Sequence, residues 1–203
     1  MRNNGEMSKS ARRNQQLLAD ALAGLLKEKE FDRITVVELT QRANVSRAVF
    51  YNYYWDLPDL VDSLEQDLVQ QHCAWWDKMT HPVDEQNTEE RRKEEAMRLE
   101  EVYKRFDPIL KLQSPLGDYY DRLAQKLLEQ ALADEQRMAY FGDPVMAELT
   151  LTMITIGSVD QMKRNVEKGL PMSLVETHAL TLEGMQKHID YRRCVLGEKK
   201  TKA

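Results

Sequence analysis

Cysteine, glycine, proline and long apolar runs are all scarce in this chain. Its two cysteines, Cys73 and Cys194, form no CxxC pair, which argues against a disulfide framework and against a cysteine zinc site. With 8 glycines and 6 prolines in 203 residues, there is no Gly-rich phosphate loop, and no nucleophile elbow or metal-ligand motif is present. The four histidines, His72, His81, His178 and His188, are scattered, and the i, i+2 spacing of Glu176 and His178 sets them on different faces of a helix. An enzyme is therefore not expected, nor a metal or other cofactor. No apolar run approaches the roughly 20 residues of a membrane span. The first residues, MRNNGEMSKS, lack the apolar core of a signal peptide, so a cytoplasmic protein away from membranes is expected.

What the chain has in abundance is Ala, Leu, Glu, Gln and Lys, the residues that lose least in a helix. No window reads as a strand, and the expectation is an all-α protein of about nine helices. The net charge of -5 is spread unevenly. Residues 1–55 hold nine Lys/Arg against six Asp/Glu, while the remainder holds 20 against 28. A basic head on an acidic body suits a protein that offers one end to nucleic acid.

The segment from Phe31 to Leu60 is the most specific. Thr35 N-caps a helix, with Glu38 placed three residues on to close a capping box. Val36, Val37, Leu39 and Ala43 give that helix its apolar face. Asn44 tolerates the left-handed conformation that ends a helix. Ser46 then caps a second short helix, Arg47 to about Tyr53, with Arg47, Tyr51, Asn52 and Tyr53 outward and Val49 and Phe50 inward. Two short helices joined by a tight turn predict a helix-turn-helix, whose second helix fits the DNA major groove. On it, Arg47 and Asn52 are the expected readers of base edges, since Arg pairs with guanine and Asn with adenine. Tyr51 and Tyr53 are expected at phosphates, and so are Arg12 and Arg13 in the first turn of helix one; the cap residues Thr35 and Ser46 complete the expected DNA-binding set.

In Ile34-Thr35-Val36, Ala43-Asn44-Val45-Ser46-Arg47 and Phe50-Tyr51-Asn52-Tyr53-Tyr54, followed by Asp56-Leu57-Pro58-Asp59-Leu60, the chain resembles the TetR family of bacterial transcriptional repressors. The resemblance covers about residues 10 to 68. It departs from the family's usual pattern at three places: Asn44 stands for Gly, Val49 for a small polar residue and Leu57 for Lys. The last two are commonly phosphate contacts, and three outcomes stay open. Arg12, Arg13 and Arg47 make up the loss, or DNA is held weakly, or the target is unusual. The resemblance implies a dimer joined through its last two long helices, an inverted-repeat operator, and repression relieved by a small-molecule effector. It also implies an effector pocket among the middle helices, for which Trp75, Met97, Tyr103, Phe106, Tyr119, Tyr120 and Met153 are the candidates. A degenerate helix-turn-helix that works through protein contacts is the alternative.

The expected layout is a disordered arm (1–9), a helix-turn-helix domain (10–55), a ligand-binding and dimerisation domain (56–192) and a flexible tail (193–203). Helix one spans about Ser10 to Lys29, and helix four runs from an Asp56 cap to about Thr80. Its Trp75 and Trp76 are adjacent, so one of them should point away from the core. A charged helix follows over Glu89 to Arg105, with Met97, Val102, Tyr103 and Phe106 inward, until Pro108 breaks it ahead of a short separate helix. Asp118 to Ala133 and Val145 to about Lys168 are helical, the latter with Met146, Leu149, Met153, Ile156 and Val159 as one apolar stripe. Its Thr150, Thr152, Thr155, Gly157 and Ser158 are small enough to let a partner helix approach. Ser173 and Glu176 form a second capping box, opening a last helix to about Tyr191.

Overall fold

The computed structural model describes residues 9–80, 88–112, 117–135, 138, 143–168, 173, 176–177, 179–180 and 183–184. Among them every regular element is helical: α1 (Lys9–Leu25), a 3₁₀ turn (Phe31–Arg33), α2 (Val36–Arg42), α3 (Arg47–Tyr53), α4 (Leu57–Thr80), α5 (Glu89–Leu110), α6 (Tyr119–Ala133) and α7 (Pro144–Lys168). No described helix is long and apolar enough to cross a membrane. Most of the last expected helix, the arm and the tail lie outside the described residues, as does Cys194, whereas Cys73 is buried.

The chain forms two compact units, Met1–Asp77 with Arg98–Arg122, and Lys78–Met97 with Leu123–Ala203. In the first unit, α1 buries Leu18, Ala21, Leu22 and Leu25 along one side. Its regular part stops at Leu25, four residues short of the expected Lys29, and closes in a turn with Lys29 N–H on the Leu25 carbonyl at 3.0 Å. Two ion pairs then tie α1's end to α2: Lys29 to Glu38 at 2.6 Å and Arg42 to Glu28 at 2.7 Å. Gly24 makes room for the second, because a Cβ there would stand 3.1 Å from the Arg42 guanidinium.

Local chemistry sets the ends of α2 and α3. Thr35 Oγ1 accepts from Glu38 N and Ser46 Oγ from Val49 N, each at 3.2 Å. The Glu38 carboxylate turns to Lys29 instead of closing the box. Between the helices Asn44 has φ 54, the left-handed turn that its amide side chain tolerates. Val37 is exposed, since the face α2 turns inward is that of Leu39, Thr40 and Ala43. Asp56 caps α4, accepting from Asp59 N at 2.9 Å, and Asp59 accepts from Trp55 N at 2.8 Å.

Leu60, Val61, Leu64 and Leu68 line the buried side of α4 as expected, but Trp75 and Trp76 are both buried. Neighbours on a helix stand ~100° apart, and an apolar face that wide covers both rings. α5 does not stop before Pro108: it continues to Leu110, so among the described residues no separate short helix follows. Proline there removes one helical hydrogen bond and costs about 3 kcal/mol. The helix persists because Phe106, Ile109 and Leu110 are all buried, and ending it early would expose them. Its inward stripe is Ala96, Leu99, Tyr103 and Phe106. Met97 is one residue out of that register and 55% exposed, not inward as its helix pattern suggested.

α7 also differs from expectation. Asp143 caps it, and Pro144 opens it where no backbone N–H is needed. Its buried face is Ala147, Thr150, Leu151, Thr155, Val159 and Met162. Much of the expected apolar stripe lies outside that buried face: Leu149, Met153 and Ile156 are exposed, as is Val145, while Val159 alone of that set is buried. Beyond α7, Ser173 and Glu176 form a reciprocal box, with Ser173 N donating to Glu176 Oε2 at 2.8 Å and Glu176 N to Ser173 Oγ at 3.1 Å. Hydrogen bonds from the Ser173 backbone N–H and hydroxyl hold the Glu176 carboxyl below its usual range.

Candidate nucleic-acid interface and a buried polar seam

α3 is seven residues long and divides cleanly. Phe50 is fully buried, packed edge-on to Tyr51 (centroids 5.3 Å) and against Tyr54 (5.6 Å). Arg47, Ala48, Tyr51 and Asn52 are exposed, and their i, i+1, i+4, i+5 spacing gathers them on one side. Of the expected base and phosphate contacts, Arg47, Tyr51 and Asn52 are thus brought together. Tyr53 is half-buried, its ring 6.3 Å from that of Tyr54. Thr35 and Ser46 are exposed, and their hydroxyls serve as helix caps.

Arg12 and Arg13 are exposed in the first turn of α1. Among the described residues neither they nor Arg47 forms an ion pair, whereas Lys29, Arg42 and Arg105 are held by Glu38, Glu28 and Asp20. These cations thus divide into those that brace the fold and those, Arg12, Arg13 and Arg47, that form no ion pair among the described residues.

Three features lie behind α3. Tyr54, just past its end, is buried, with its phenol hydrogen-bonded to Ser63 and Gln15, and burial pushes its pKa up to about 12. Gln15 also donates to Asp67 at 2.5 Å, and burial raises the Asp67 carboxyl above its usual range. Together these bonds tie α1, the end of α3 and α4 into one support. Leu57 is buried and packs inward. Val49 is half-buried.

A buried polar seam runs through α4, α5 and α6 of the same unit. Glu65, 0% exposed, is ion-paired with Arg122, which is itself mostly buried. One heptad along α4, His72 Nδ1 lies 2.8 Å from Tyr103 Oη, and Tyr103 Oη lies 2.5 Å from Tyr119 Oη. Ring contacts extend the cluster to Trp75 beside His72 (5.2 Å) and Tyr120 beside Tyr119 (5.2 Å). Desolvation drives the Tyr103 and Tyr119 phenols well above the usual tyrosine range.

Of the expected effector residues, Trp75, Tyr103, Tyr119 and Tyr120 therefore converge, and Phe106 is buried in the same unit. Met97 and Met153 stand at the surface, Met153 at 70% exposure. Sequence reasoning missed Glu65 and Arg122 and passed over His72. A signal was available on α4: Val61, Glu65, Leu68 and His72 share one helical face, so a carboxylate and an imidazole interrupt an otherwise apolar stripe. No group of three or more metal-ligating side chains occurs among the described residues.

No protein-family model matches the chain, and no curated protein matches it.

Proposed function

We propose that this protein is a ligand-responsive, dimeric DNA-binding transcriptional regulator with a TetR-like helix-turn-helix head, a repressor that a small molecule releases from an inverted-repeat operator. The observation that carries this reading is the exposed side of α3: a short capped helix presenting Arg47, Tyr51 and Asn52 over a buried Phe50. In this reading α3 enters the major groove, where Arg47 and Asn52 meet base edges. Tyr51 and Tyr53 contact phosphate, together with Arg12 and Arg13, which form no ion pair among the described residues.

The exposed stripe of Val145, Leu149, Met153 and Ile156 supports pairing through α7, because four large apolar side chains in one row are costly to leave in water. In a dimer two recognition helices stand one DNA turn apart. An effector held among the aromatic residues of α4, α5 and α6 would favour a spacing that no longer matches successive grooves, a shift between two populated states. A second reading, in which the head contacts protein, is favoured by the start of α4, where Leu57 is buried and the carboxylates of Asp56 and Asp59 accept from the Asp59 and Trp55 N–H groups.

Two substitutions in the head separate these readings by fluorescence anisotropy on operator DNA. Arg47→Ala should cost about 1–3 kcal/mol of affinity and relax preference at one base position. Tyr51→Ala should weaken all sequences alike. If neither changes binding in a folded protein, α3 is not the reading helix. For the dimer, Leu149→Glu with Met153→Glu should give monomers by sedimentation equilibrium while helicity is kept; an unchanged dimer would place the interface elsewhere.

A further inference from the structure

The His72–Tyr103–Tyr119 chain has a property that the proposed function does not use. Each phenol carries one hydrogen, so the chain of three must run in one direction. With neutral His72 protonated on Nε2, its Nδ1 accepts from Tyr103 Oη at 2.8 Å, and Tyr103 in turn accepts from Tyr119 at 2.5 Å. We propose that proton uptake by His72 reverses this chain, making the junction of α4, α5 and α6 a pH-sensitive switch.

The proton balance is simple. One proton from solvent binds the lone pair of Nδ1, and the imidazole gains the charge. Nδ1–H then donates to Tyr103 Oη, and Tyr103 O–H turns to donate to Tyr119 Oη. Tyr119 O–H, no longer engaged with Tyr103, must find another acceptor. The phenols cannot absorb the change by ionising, because burial holds both of them protonated.

Among the described residues, titratable and charged groups face the chain from all three helices. α4 contributes Glu65 and Cys73, α5 contributes Tyr103, and α6 contributes Tyr119, Tyr120 and Arg122. Glu65 is the carboxylate that acts on Tyr119, and it is already committed to Arg122. Proton uptake at His72 therefore adds charge to one end of a chain whose other end, Tyr119, already feels the Glu65 carboxylate, and the Tyr119 hydroxyl is the group that must readjust. Tyr119 opens α6 beside the Asp118 cap, so the readjustment acts on the start of that helix.

The test is a pH titration of the full chain, labelled with ¹⁵N in histidine and ¹³C in tyrosine, read by NMR from about pH 5 to 8. His72→Gln assigns the His72 signals among the four histidines. The switch requires the Nε2–H tautomer at high pH, protonation of Nδ1 on acidification, and a Tyr119 ring shift with the same midpoint. In Tyr103→Phe the Tyr119 shift should be lost. Should that variant fail to fold, Tyr119→Phe replaces it: His72 should still titrate while Tyr103 becomes the last reporter in the chain. An Nδ1–H tautomer at high pH would overturn the proposal. So would a His72 that stays neutral over the whole range, or a Tyr119 shift that survives in Tyr103→Phe.

Discussion

The head and the polar seam are parts of one compact unit, yet they are held in opposite ways. In the head, Thr35 and Ser46 bond backbone three residues away, and Asn44 turns the chain by its own conformation. In the seam the partners lie far apart in sequence: Glu65 meets Arg122, and His72 meets Tyr103. The head keeps its charges outside, where water offsets them, Arg47 among them. The seam buries its charges, where each depends on its neighbour. Local bonds fix a shape that can be offered to another molecule; long-range bonds fix a core that responds as a whole.

The largest effect expected from breaking this contrast is at Arg122. Removing one member of a buried ion pair typically costs about 3–5 kcal/mol, because the remaining charge stays in the core. Arg122→Ala should lower stability on that scale in urea unfolding, and Glu65→Leu with Arg122→Leu should recover most of the loss. A loss from Arg122→Ala no larger than that of a surface substitution would mean the pair is solvated. Ser46→Ala should do less, about 1 kcal/mol, as expected for an N-cap. It should also weaken DNA binding, because the same cap sets the start of α3.

The smallest effect is at the support behind α3, and its sign differs from that of an ordinary salt-bridged carboxylate. Tyr54 titrates near 12 in the fold against about 10 in an unfolded chain. Its contribution is full below the unfolded value and is lost as pH rises through the folded one, so stability should fall between about pH 10 and 12. Asp67 likewise binds its proton more tightly when folded, so its share of stability falls as pH rises through the carboxylate range. Asp67→Asn, which keeps an acceptor for Gln15, should raise Tm slightly at neutral pH and leave it unchanged at low pH. A lower Tm at neutral pH would show that the charge is stabilising.

The same contrast explains what was legible in the sequence. The start and end of α3, the Thr35 and Ser46 caps, the left-handed Asn44, the Asp56 cap and the reciprocal Ser173–Glu176 box could all be read, because each is decided within a few residues. What failed was decided at a distance. Periodicity shows that α7 is apolar on more than one side, but not that the protomer buries Ala147, Leu151 and Thr155 and leaves Leu149 and Met153 out. Pro108 reads as a break until the burial of Ile109 and Leu110 is known. The seam was hidden because Tyr103, Tyr119 and Arg122 have no spacing in common with Glu65 and His72; only the carboxylate and imidazole on α4's apolar face marked it.

The central claim is that α3 reads DNA, and selection of bound duplexes from a random-sequence pool, followed by a salt titration of the winners, tests it most directly. The account predicts an inverted repeat with half-sites one helical turn apart. Arg12 and Arg13 in each protomer of a dimer, as the phosphate contacts, should give a slope of about -4 in log affinity against log salt. No enriched sequence from a folded dimer free of added ligand would contradict it, and would turn attention to the acidic start of α4 as a surface for protein.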